Sequence, residues 1–185
     1  MSGWITIAPL FCLVTSVAWA QDKVNAGSLI LQDFSKRIAD YDQLHRTAQT
    51  KVRALRESPS LKDIERYEHR VAHEIRELRH DSGQGSIFTP QIAEQFRHLV
   101  GQTMDGSAGA RVQQSLRHAE PVRLPRLRVN GTYPEGIPLQ SSPPSFLANL
   151  PKLPVSLEYR LVGRDLVLRD RGANLIVDLI PNVVP

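Results

Sequence analysis

Cysteine is almost missing from this chain, and the absence sets its first limits. The single copy among 185 residues, Cys12, lies inside an apolar run near the start, so neither a disulfide framework nor a multi-cysteine metal site can be built. Phe11 is bulky for a residue preceding a lipidated cysteine, which argues against a lipid anchor. A long hydrophobic run is missing too. The leading one, Ile5 to Val17, covers about 13 residues, short of the ~20 that a membrane-crossing helix needs. Catalytic signatures are also absent: there is no G-x-S-x-G elbow and no Gly-rich nucleotide loop.

What the start does carry is the pattern of an export signal. The uncharged run is followed by Ala18-Trp19-Ala20 and then the polar Gln21. Ala18 and Ala20 supply the small side chains that a signal peptidase accommodates, placing the cut between Ala20 and Gln21. Met1-Ser2-Gly3-Trp4 offers only the α-amino group as positive charge, so an uncleaved anchor is the competing reading. Cleavage would take Cys12 with it and exclude a thiol nucleophile. A chain of the remaining length can bury about 70% of its unfolded surface and cohere by packing alone. The expected location is periplasmic or secreted.

Charge is balanced nearly everywhere. Asp22 to Val100 holds 13 basic and 12 acidic residues, and Glu135 to Pro185 holds five of each. The excess sits in between, where Arg111, Arg117, Arg123, Arg126 and Arg128 face only Glu120. Arg123, Arg126 and Arg128 form a candidate patch for an anionic partner. They are not interleaved with aromatics as a base-stacking surface requires, so nucleic acid is not expected and a solvated linker is the preferred reading.

Leu31, Phe34, Ile38, Tyr41, His45, Ala48, Val52 and Leu55 step in threes and fours, which predicts a long amphipathic helix with a coiled-coil-like seam. After Glu57-Ser58-Pro59, Ser60 and Asp63 form a capping box opening a second helix. Its stripe runs through Leu61, Ile64, Tyr67, Val71, Ile75 and Leu78 and closes near Gly83 in a left-handed turn. The short break predicts an antiparallel helical hairpin, with Leu55 near Leu61 and His45 near Val71. Thr89 and Pro90 start a third helix along Ile92, Phe96, Leu99 and Val100, and Ala110 to His118 is read as a short fourth. Thr89-Pro90-Gln91 resembles the short repeat of periplasmic stress chaperones over those residues alone, and helix-start chemistry accounts for them equally well.

Eight prolines between Pro121 and Pro154 exclude helix there. Interspersed apolar residues such as Leu127, Val129 and Tyr133 predict an extended strap packed on the domain rather than a free tether. Asn130-Gly131-Thr132 fits a glycosylation sequon but is read first as a turn. Leu157 to Val162, Asp165 to Arg169 and Asn174 to Ile180, separated by Gly163-Arg164 and by Asp170 to Ala173, predict a three-stranded antiparallel meander. Alternation in the first strand predicts one dry face and one charged face.

Candidate chemistry is sparse. His69 and His73 lie one helical turn apart, the spacing at which two imidazoles can share a metal. They fall opposite the apolar stripe beside Lys62, Arg66 and Arg76, and they lack the glutamate of a zinc-protease motif, so a solvated face is preferred to a weak zinc, copper or nickel site. His45, within the seam, is read as a satisfied buried histidine before a pH switch. Asp170 is explained by turn hydrogen bonding. Asp178 is expected to face solvent or to meet Arg160 or Arg169 across the sheet.

The sequence thus reads as an α+β protein: a signal peptide over 1–20, a helical region over 21–118 containing the hairpin and third helix, a Pro-rich strap over 119–154, and a β-meander over 155–185. No cofactor and no enzymatic activity are expected. The expected role is binding or assembly within the bacterial cell envelope, through self-association or another envelope protein, with no stable membrane span after cleavage. A metal-handling protein and a small hydrolase using carboxylates or histidine are the alternatives.

Overall fold

A computed structural model describes residues 18–55, 57, 60–105, 109, 126–134 and 149–184, with side chains from residue 26 onward. The apolar run before Ala18, the segment read as a fourth helix, Arg123 and most of the Pro-rich strap lie outside the described residues. The fold is α+β: among the described residues there are three named helices and one three-stranded antiparallel sheet.

Helix α1 spans Ala18–Lys51, α2 Leu61–Leu78 and α3 Pro90–Met104. On α1 the seam is buried from Phe34 through Ile38, Tyr41 and His45 to Ala48, while its ends, Leu31 and Val52, are only half-buried. Ser60 and Asp63 form the reciprocal capping box that opens α2, and the Thr89 hydroxyl accepts from the Ile92 amide above Pro90 at the start of α3. Antiparallel packing of α1 and α2 brings Tyr41 to Arg79 and Lys51 to Glu74. Two expectations for the hairpin fail. Leu55 and Leu61 are both exposed, Leu61 by 80%, so they do not seal its turn; the chain leaves the shared face before reaching them. Nor does Gly83 close α2 in a left-handed turn. The Arg79 amide satisfies carbonyls of the last turn, and the positive φ falls at Gly85, inside the loop to α3.

The strands are β1 (Leu157–Val162), β2 (Asp165–Asp170) and β3 (Leu175–Ile180), in the order β1-β2-β3. Gly163 supplies the positive φ of the first hairpin and Asn174 that of the second; a bulge lies between Leu168 and Arg169. One sheet face carries Leu157, Leu161, Leu166, Leu168, Leu175, Val177 and Ile180 into the core shared with the helices. Phe34, Phe88 and Phe96 meet there with ring centroids 4.9 to 5.8 Å apart, tying α1, the α2–α3 loop and α3 together.

The opposite sheet face corrects an expectation. It is not a solvated charged surface, because Tyr133, Leu127 and Val129 cover Val162, Val167, Ile176 and Leu179 in a second apolar cluster. The same segment extends the sheet: the Asn130 and Tyr133 amides donate to Ile176 and Asn174 carbonyls, and the Ile176 amide donates to Gly131. Here, then, the strap is packed on the domain. Asn130, at φ 63°, turns the chain while its amide nitrogen donates to the Ser82 carbonyl, which favours the turn over a glycan-bearing surface asparagine. No helix among the described residues is long and apolar enough to cross a membrane.

Candidate functional site

The residues singled out from sequence do not converge. His69 and His73 both lie on the exposed face of α2. Arg76, one of the cations expected beside them, instead donates to the Asn130 carbonyl at 2.8 Å. His80 sits 3.0 Å from Asp81. Among the described residues no three or more His, Cys, Asp or Glu side chains are grouped so as to hold a metal ion. Arg126 and Arg128 are exposed on the covering segment. Ala20 and Gln21 fall within the first turns of α1.

The polar chemistry that the fold does assemble lies where the helices meet the meander. Asp170, fully buried, keeps its turn role by accepting from the Ala173 amide through Oδ1. Its Oδ2 also accepts from the Tyr41 hydroxyl at 2.8 Å and lies 2.6 Å from His45 Nδ1, the geometry of an imidazole N–H donating to a carboxylate. Tyr41 and His45 are four residues apart on α1, so one helix face presents both. The phenol is held well above its ordinary pKa, first by burial and then by the Asp170 carboxylate. His45 is 4% exposed, and a side chain at Gly172 would crowd its Cε1 at 3.2 Å. Asp170 thereby latches α1 to the β2–β3 turn.

Asp178 reverses its expected placement. It neither faces solvent nor pairs with Arg160 or Arg169. Fully buried, its Oδ1 accepts from the Gly85 and Leu179 amides and its Oδ2 from the Ile87 and Phe88 amides, at 2.8 to 3.0 Å. Four backbone donors around one carboxylate solvate it, with no ion-pair partner for it among the described residues. The α2–α3 loop is thus folded around an aspartate 90 to 93 residues away.

Arg79 completes this interior. It follows the last residue of α2, is 5% exposed, and donates from both terminal nitrogens to the Val177 carbonyl and from Nη2 to the Ser86 hydroxyl. Its guanidinium lies 5.3 Å from the centre of the Tyr41 ring. Burial holds its pKa below the ordinary value, opposed by Tyr41, Asp178 and Asp170. Sequence reading missed it because an arginine after a helical stripe looks like an exposed C-terminal cation. The one available signal was position: Arg79 follows Val71, Ala72 and Ile75 at helical spacing on the buried face.

Comparison with protein-family models, with curated proteins and with solved structures finds no match for this chain.

On the second sheet face, Glu158 binds Arg169 and Arg160, each at 2.7 Å. Arg169 also donates to Asn174 Oδ1 and sits 4.9 Å over the Tyr133 ring. Burial alone would raise the Glu158 pKa, but the hydrogen bonds and charges of the two arginines outweigh it and hold it below the ordinary carboxylate value. These three networks occupy Asp170, Asp178 and Glu158 with structural partners.

Proposed function

We propose that this protein is exported and works by binding or assembly in the bacterial cell envelope, without catalysis of its own. The observation that carries the reading is the unequal use of α1. At 1.5 Å per residue, the 31 residues of α1 left by a cut after Ala20, Gln21 to Lys51, run to about 46 Å, against about 27 Å for α2 and about 22 Å for α3. The side chains of Ala26 to Leu31 are exposed or half-buried, Leu29 by 61%. Beside them Ile30 lines an open groove of about 580 Å3 with Pro90, Gln91 and His98 of α3. An amphipathic helix with apolar length left over suits helix-in-groove recognition or pairing with a second copy. The hydrolase alternative is weakened by the engagement of Asp170, Asp178 and Glu158 in folding contacts.

Sedimentation of the purified protein, with and without Leu29→Glu, tests the reading. The expected result is concentration-dependent association, or capture of an envelope protein, that the substitution abolishes. A monomer that captures nothing, or association indifferent to Leu29, overturns it. The metal alternative rests on the exposed His69–His73 pair and is tested by titrating zinc into wild type and His73→Ala; equal heats remove it.

A further inference from the structure

A second cavity, of about 210 Å3, lies between α1 and the loop from α2 to α3. Its wall holds three charged groups: Arg37 and Asp40 from α1, and Arg79. Arg37 is committed, since its Nε pairs with Asp33 at 3.0 Å and its Nη1 donates to the Ser86 carbonyl. The other two are not. All the hydrogen bonds of Arg79 go to neutral oxygens through its terminal nitrogens, so its Nε–H has no acceptor among the described residues. Asp40, exposed at the rim, has no ion-pair partner among them either. Asp170 and Asp178 act on Arg79 only from farther off, and both are saturated by other donors.

The wall therefore offers one cation, 95% withdrawn from solvent, and one anion, neither in an ion pair among the described residues. Ser82 contributes a hydroxyl without a hydrogen-bond partner among the described residues, and Leu44 and Ile87 contribute apolar surface. A polyanion such as phosphate would satisfy Arg79 but be repelled by Asp40. A ligand bearing both signs meets both, and at ~30 Å3 per water-sized unit the cavity has room for one of about seven non-hydrogen atoms. We propose that this cavity binds a small zwitterion of the α-amino acid class, its carboxylate taken by Arg79 and Ser82 and its ammonium by Asp40. This site is separate from the α1 groove and stands or falls independently of it.

Calorimetric titration of the purified protein with L-alanine, L-serine and L-valine, alongside isovalerate, isobutylamine and inorganic phosphate, tests the assignment. The amino acids are expected to bind and to shift the amide resonances of Ser82 and Ser86. Removing either ligand charge should weaken binding about tenfold or more, the scale of one charge-assisted hydrogen bond. Asp40→Asn, at an exposed rim position, should abolish the preference for L-valine over isovalerate. Ser82→Ala should weaken both alike. Absence of binding by every amino acid, phosphate or isovalerate binding as tightly as L-valine, or undiminished L-valine binding by Asp40→Asn each overturns the proposal.

Discussion

Asp170 at the end of β2 and Asp178 near the end of β3 are both wholly withdrawn from solvent, yet the fold satisfies them by different means. Asp178 takes four backbone amides, donors that no substitution short of proline removes and no pH change titrates. Asp170 takes one amide and two side chains from α1, donors that a single substitution or a change of ionisation can withdraw. The first arrangement fixes a loop; the second joins a helix to a turn and leaves the joint adjustable. A buried carboxylate thus reports what its neighbourhood must hold rigid.

Removing Asp178 should have the largest effect. Asp178→Ala strands four amides, of which those of Ile87, Phe88 and Leu179 are buried, and an unsatisfied buried donor costs about 1 to 3 kcal/mol. Denaturant unfolding should show a loss of roughly 4 kcal/mol or more, with protection of the 85–88 amides lost first in hydrogen exchange. A loss under about 1 kcal/mol would show that the loop does not depend on this carboxylate.

The Asp170 joint should break more gently. Tyr41→Phe removes one hydrogen bond to a charged acceptor, worth about 1.5 to 3 kcal/mol, and leaves His45 in place. Because the Tyr41 phenol is raised in the folded state, its contribution is fully present below the ordinary value of 10.0 and is lost as pH rises through the folded value. Wild-type stability should therefore fall on the alkaline side more steeply than that of Tyr41→Phe. Parallel curves would detach Tyr41 from the latch.

The smallest effect belongs to Glu158, which is part-exposed and paired locally on the sheet surface. Its lowered pKa means that its contribution is present above the ordinary value of 4.5 and drains away as pH falls through the folded value. Glu158→Gln should cost under about 1 kcal/mol at neutral pH and flatten the acid limb of the stability curve. An unchanged acid limb would assign that limb to other carboxylates.

What was legible in the sequence was what adjacent residues decide. The capping box at Ser60, the Thr89-Pro90 start, the seam from Phe34 to Ala48 and the Gly163 hairpin all follow from contacts a few residues long, and all stand in the fold. Asp170 was legible by half: its bond to Ala173 is local, whereas its bonds to Tyr41 and His45 span more than 120 residues. Asp178 was misread and Arg79 passed over because the bonds that hold them run chiefly to main-chain atoms of distant segments, and main-chain atoms leave no mark on composition. The strap-covered sheet face was misread for a related reason. Charged residues alternating along β1 suggest water, but Glu158 pairs with Arg160 along the strand and with Arg169 across it, and Tyr133 closes over the apolar remainder.

The pairing of Asn130 to Tyr133 with β3 gives the sheet a direction. A foreign strand seeking to add itself would find β3 already occupied along Asn174 to Ile176, while β1 has no strand beyond it among those described. Templated growth, if the protein is ever driven into fibrils, would therefore nucleate at the β1 margin, where Glu158 and Arg160 serve as charged gatekeepers.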